Sequence, residues 1–131
     1  MHDQPTPEQL LDAVAAFLRE QVVPGSAGAL AFHARVAANA LDIARRELAL
    51  APAAALREQA ALARLLDADP ATDLLQLNRL LCERIAAGAL GLDTPGLAHA
   101  LWQITLDKLS VDQPHYESYL RSLPPATDQE T

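Results

Sequence analysis

The chain is poor in cysteine, in aromatic residues and in positive charge, and each shortage excludes something. The single cysteine, Cys82, rules out an intrachain disulfide and the usual thiolate zinc sites, and it fits a reducing compartment. Lys and Arg number 10 against 17 Asp and Glu, a formal net charge of −7. No basic run or aromatic platform offsets this charge, so phosphate backbones and anionic headgroups are repelled. Nucleic-acid and membrane binding are set aside on that ground. No apolar run approaches the roughly 18 residues needed to span a bilayer. The opening Met1-His2-Asp3-Gln4-Pro5 lacks the basic and apolar regions of a signal peptide. Together these features point to a cytoplasmic protein.

What is present leans to helix. Half of the 131 residues are apolar, much of that half Ala and Leu, and aromatics are only 4%. Ala and Leu favour helices, whereas β-branched and aromatic residues favour strands. The length suits one domain with a single core. Thr6-Pro7-Glu8-Gln9 reads as a capping box with proline at the first helical position. Leu10, Leu11, Val14, Phe17, Leu18 and Val22 follow at helical spacing, and Pro24-Gly25-Ser26 ends the element.

A second, longest helix is expected from about Ser26 to Leu50. At about 100° per residue, Phe32, Val36, Ala37, Ala40, Leu41, Ile43, Ala44 and Leu48 form a wide apolar arc. Arg35, Asn39, Asp42 and Arg46 form a polar stripe opposite. Pro52 is expected to open a third helix with Leu56, Leu62, Ala63 and Leu66 inside. A fourth starts near Thr72 or Asp73, carries Leu74, Leu77, Leu81 and Ile85, and reaches a left-handed cap at Gly88. Thr94-Pro95 reads as the start of a fifth, running through Leu97, Leu101, Trp102, Ile104, Leu106 and Leu109. Gln113-Pro114 starts a short last one bearing Tyr116, Tyr119 and Leu120. No period-2 pattern of convincing length occurs. The expected architecture is all-α: a single-domain bundle of five to six helices over residues 1–123, with a long central second helix. Residues 124–131 read as a polar, disordered tail.

Chemistry-bearing residues are few. The four histidines, His2, His33, His99 and His115, form neither an HxxxH pair nor an HExxH, so no metal site is expected. His33 falls within the apolar arc of the second helix. It is either a core histidine bonded to a neighbouring carbonyl or carboxylate, or a proton donor or ligand contact at a groove. Arg35 and Asn39 stand one turn apart, either as a solvated face or as a recognition surface for carboxylates, backbone or phosphate. Asp112-Gln113-Pro114-His115-Tyr116 reads as an N-cap turn or as an element that packs on the second helix, with Asp112 pairing to Arg35 or His33. Asn78 lies beside an inner face, needs partners there, and could join a network with Asn39 or His33. Cys82 and Trp102 read as core residues. No phosphate-binding glycine loop and no nucleophile elbow occurs.

The string Phe32-His33-x-Arg35-Val36-Ala37-x-Asn39-x-Leu41 resembles the DUF6285 family of small bacterial proteins. So do Pro5-Thr6-Pro7-Glu8-Gln9-Leu10-Leu11, Leu77-Asn78-x-x-Leu81-Cys82 with Ile85-x-x-Gly88, and Asp112-x-Pro114-x-Tyr116. The resemblance marks His33, Arg35, Asn39, Asp112 and Tyr116 as signature residues, either structural or at an interface. It implies a setting beside a phosphotransferase of the aminoglycoside-kinase type and an acyl-CoA dehydrogenase-like enzyme. It further implies kinship with the small accessory subunit of bacterial 4-hydroxyacyl-CoA kinase. In that setting the partner kinase carries ATP and magnesium and phosphorylates a hydroxyacyl-CoA, and the dehydrogenase-like enzyme follows.

The resulting expectation is a non-catalytic accessory subunit that binds no cofactor of its own. The rival is a small-molecule binding domain in which His33, Arg35 and Asn39 line an acyl or phosphate pocket. A homo-oligomer stays open, since the apolar arc could be covered by the same chain or by a second copy.

Overall fold

Thr6 caps the first helix as its sequence dictates. In the computed structural model, which describes residues 4–124, the Thr6 backbone N–H donates to Gln9 Oε1 at 2.8 Å, and the Gln9 N–H donates to Thr6 Oγ1 at 3.3 Å. Helix α1 spans Pro7–Phe17 behind this capping box. Thr6→Ala removes one side-chain acceptor from an otherwise orphaned first turn and should cost about 1 kcal/mol. A lower denaturant midpoint, with Thr6→Ser near the original value, is the expected reading.

α1 then widens into a π-helical segment, Leu18–Val22, in which the Val23 N–H donates to the Leu18 carbonyl five residues back at 2.9 Å. This widening is not visible in the spacing of the apolar residues, which is that of an ordinary helix.

Helix α2 spans Gly28–Leu66 with Pro52 inside it. The expected break between a second and a third helix is therefore absent. Proline lacks the N–H that would bond the Leu48 carbonyl, yet the alanine-rich flanks on both sides carry strong helix propensity and the helix continues across it. The described residues fall into two compact units, one ending at Pro52 and the other beginning at Ala53. α2 contributes its first part to one unit and its second part to the other. Helices α3 (Leu74–Ala86), α4 (Leu97–Asp112) and α5 (Glu117–Ser122) complete the second unit. The described residues contain no strand, and the all-α architecture with a long second helix is as the sequence predicts. The expected tail lies outside the described residues from 125 onward.

The first unit buries alanines rather than its large side chains. Ala15, Ala31, Ala34 and Ala38 are its buried hydrophobic residues, while Leu10, Val14, Phe17, Phe32, Val36, Ile43 and Leu48 are exposed. The apolar arc expected to face inward on the second helix thus faces solvent, and so does much of the expected face of the first. Polar pairs across the two helices flank the buried alanines. The Arg19 guanidinium donates to Asn39 Oδ1 at 3.0 Å and also pairs with the Asp42 carboxylate. Arg45 Nε lies 3.7 Å from Asp12 Oδ1. These contacts run antiparallel, and the small side chains of the alanine stripe allow close approach.

The second unit has a larger core. Leu62, Ala63, Leu66, Leu77, Leu81 and Leu97 form a buried cluster, with Leu65, Ala68, Leu74, Leu80, Leu90 and Ile104 packed against it. Leu56, expected inside, is exposed. Asp73 caps α3 by accepting from the Leu75 N–H at 3.0 Å. At the other end Gly88, with φ +74, takes the expected left-handed cap. There the Ala89 N–H donates to the Arg84 carbonyl and the Gly88 N–H to the Ile85 carbonyl, a Schellman pair.

α4 begins later than expected. Its N-cap is Gly96, with φ +84, not Thr94. The Leu97 N–H donates to the Thr94 carbonyl at 3.2 Å, so Thr94-Pro95-Gly96-Leu97 is a turn with proline and a left-handed glycine at its two central positions. Trp102 and Cys82 are exposed rather than core. On α4 the buried positions include Leu97 and Ala100, and Trp102 stands about 200° around the helix from Ala100.

Candidate functional site

The signature string on α2 forms an outward surface. Phe32, Val36, Asn39, Ile43 and Leu50 recur at spacings that keep them on one side of a helix. Phe32 is 56% exposed and Val36 49%, and Ile43 and Leu50 are also exposed. A stripe of large apolar side chains left open in this way is unlike the scattered exposure usual on a protein surface.

The polar members border the stripe. His33 is exposed and stacks edge-on against Phe32, with ring centroids 5.5 Å apart and an interplanar angle of 68°. The core histidine of the first expectation is therefore not what the structure shows. Arg35 is exposed, and among the described residues its side chain has no hydrogen-bond or ion-pair partner. Asn39 is exposed too, with its carboxamide oxygen taken by Arg19. Its Nδ2 hydrogens remain the end that can meet an acceptor.

Asp112 and Tyr116 belong to the other unit. Asp112 is the last residue of α4 and is exposed. Tyr116 occupies the N-cap position of α5, so that helix begins after it rather than at Gln113-Pro114. Its backbone N–H donates to the Gln113 carbonyl at 3.0 Å, and its side chain makes no capping bond. The Asp112-x-Pro114-x-Tyr116 motif therefore builds the α4–α5 connection. His33, Arg35 and Asn39 gather on one face of the first unit, and Asp112 and Tyr116 are residues of the second.

Asn78, expected to need a partner, finds one in its own unit. Its Nδ2 donates to Glu58 Oε1 at 2.9 Å and to the Leu74 carbonyl at 3.1 Å. Among the described residues no group of three or more His, Cys, Asp or Glu side chains is placed to hold a metal ion. No helix among them is long and apolar enough to cross a membrane.

A second feature was not singled out in the sequence. In the second unit a cavity of about 550 Å³ opens between α2 and α4, with Arg57, Arg64 and His99 among its lining residues. The available signal was Arg57-x-x-Ala60-Ala61-x-x-Arg64, two arginines two turns apart with only alanine on the face between them.

The fold and these surfaces define an all-α protein of two compact units sharing one long helix, with an open apolar stripe on the first. The family model for DUF6285, a domain of unknown function, matches residues 24–116, and the chain belongs to that family. The match takes in α2, α3 and α4 and leaves α1 outside it. No curated protein and no solved structure matches the chain.

Proposed function

We propose that this chain is a non-catalytic accessory subunit that docks its α2 stripe on a phosphotransferase of the aminoglycoside-kinase type. One observation carries the docking: the signature residues Phe32, Val36, Arg35 and Asn39 stand exposed on one face instead of filling a core. Apolar side chains at the centre with arginine and amide donors beside them have the anatomy of a protein–protein interface. The identity of the partner rests on the family resemblance. In that setting the kinase holds ATP and magnesium and phosphorylates a hydroxyacyl-CoA, upstream of an acyl-CoA dehydrogenase-like enzyme. The cytoplasm is the compartment in which such a pair would meet.

Co-expression with the kinase encoded beside it, followed by affinity purification, tests the proposal. The two chains should co-purify, and the complex should show higher kinase activity or stability than the kinase alone. Val36→Asp places a charge in the middle of the stripe and should weaken association by about thirtyfold or more, equivalent to about 2 kcal/mol. The helical circular dichroism of the free chain should not change, because Val36 is exposed. Separate elution of the two wild-type chains, with kinase activity indifferent to this chain, would end the proposal. The rival small-molecule reading assigns a pocket to His33, Arg35 and Asn39, and the α2–α4 cavity is lined by other residues.

A further inference from the structure

The cavity of the second unit has a consistent chemistry. Its α2 wall presents Arg57, Ala60, Ala61 and Arg64, which share one helix face at i, i+3, i+4 and i+7. The α4 wall contributes His99 and Ala100. Between the arginines the floor is small and apolar, so the space exists because alanine carries nothing beyond Cβ. At one end the two elements approach closely: a Cβ built on Gly96 would stand 3.9 Å from Leu65 Cδ1.

The sign of the charge is the informative part. The chain has an excess of 7 acidic over basic residues, yet two arginines and a histidine line this cavity and no carboxylate does. Arg57 is engaged with Asp107, its Nη2 donating to Oδ1 at 2.9 Å. Arg64 and His99 are exposed, and neither side chain has a hydrogen-bond or ion-pair partner among the described residues. A guanidinium left without a carboxylate in an acidic protein is a ready partner for a carboxylate or phosphate group, which it can hold through two parallel N–H donors. The uncapped first turn of α4, whose N-cap is Gly96, adds a field of the same sign at that rim. The volume is in the range of small-molecule sites.

We propose that this cavity binds a small organic acid, its carboxylate or phosphate head held by Arg64 and the His99 ring and its short apolar body lying on Ala60, Ala61 and Ala100. The binding requires no docking by the α2 stripe, since every lining residue belongs to the second unit.

An NMR titration of the isotope-labelled full chain tests it, with pentanoate, pentyl phosphate, inorganic phosphate and pentylamine as probes. At least one of the two pentyl acids should give saturable shifts at residues 57–65 and 95–103, several-fold tighter than inorganic phosphate; the tighter of the two identifies the head group. Arg64→Gln should weaken that binding about tenfold, the loss expected for one charge-assisted hydrogen bond. Arg79→Gln, which changes an exposed arginine of α3 outside the cavity, should leave it as it is. Either of three results would overturn the proposal: no saturable shift with both acids, pentylamine or inorganic phosphate binding as tightly as they do, or Arg64→Gln binding like the unaltered chain. Unchanged helicity and melting temperature in Arg64→Gln would show that a loss of binding is not a loss of fold.

Discussion

Leu77→Ala should cost the second unit about 2–5 kcal/mol, the range for truncating a fully buried leucine. Leu77 has no exposed surface and lies at the centre of the cluster formed with Leu62, Leu66 and Leu81. Truncation removes apolar area from burial and leaves a void that the helices around it close only in part. The neighbouring residue makes the control. Leu75 is 60% exposed on the same helix, and its replacement by alanine should shift stability by no more than about 0.5 kcal/mol. Denaturant midpoints give the magnitude, and amide exchange gives the place. Protection should fall throughout α3 and the second part of α2. Equal effects of the two substitutions would mean that Leu77 is not in a core.

Pro52→Ala should stabilise the protein, by up to about 3 kcal/mol. Proline in a helix interior lacks an N–H for the carbonyl four residues back, and its ring crowds that carbonyl. Pro52 stands in the interior of α2, between Leu48-Ala49-Leu50-Ala51 and Ala53-Ala54-Ala55, all strong helix formers. Alanine there restores the missing donor without adding bulk, since Pro52 is exposed. Slower amide exchange from residue 48 to 56 and a higher melting temperature are the expected results. A melting temperature unchanged or lowered would show that the proline already relieves some other strain. Because the two compact units meet in sequence at this residue, loss of partner binding in the stabilised variant would show that its weakness serves docking.

Local rules made much of the fold legible. The capping box at Thr6 and Gln9 and the left-handed Gly88 each depend on a few neighbouring residues and appear where the spacing places them, and of Thr72 and Asp73 it is Asp73 that caps α3. Sequence and structure part where two local signals compete. Pro52 looked like a helix start and lies inside a helix, because proline is tolerated at a cost when its flanks are strongly helical. Thr94-Pro95 looked like an N-cap and first position, but Pro95-Gly96 forms a turn and moves the helix start to Leu97. The site was legible in part. The signature string on α2 is visible in its residues, whereas its outward direction and the α2–α4 cavity depend on how the helices pack.

The amino-acid order by itself determined the helical class, the long second helix, the caps at Thr6 and Gly88, and the acidic balance of charge. These follow from propensity, capping chemistry and charge count, which act within a few residues. Which face of α2 is inside was decided only by tertiary structure. The sequence points to the arc of Phe32, Val36 and Ile43 as the inner face, whereas the structure buries Ala31, Ala34 and Ala38. Hydrophobicity alone favours the arc. The alanine stripe is the buried one, and Arg19 and Asp12 of the first helical segment pair with Asn39, Asp42 and Arg45 beside it. Side chains that small let two backbones approach closely, and the larger apolar residues are left outside, available to a partner.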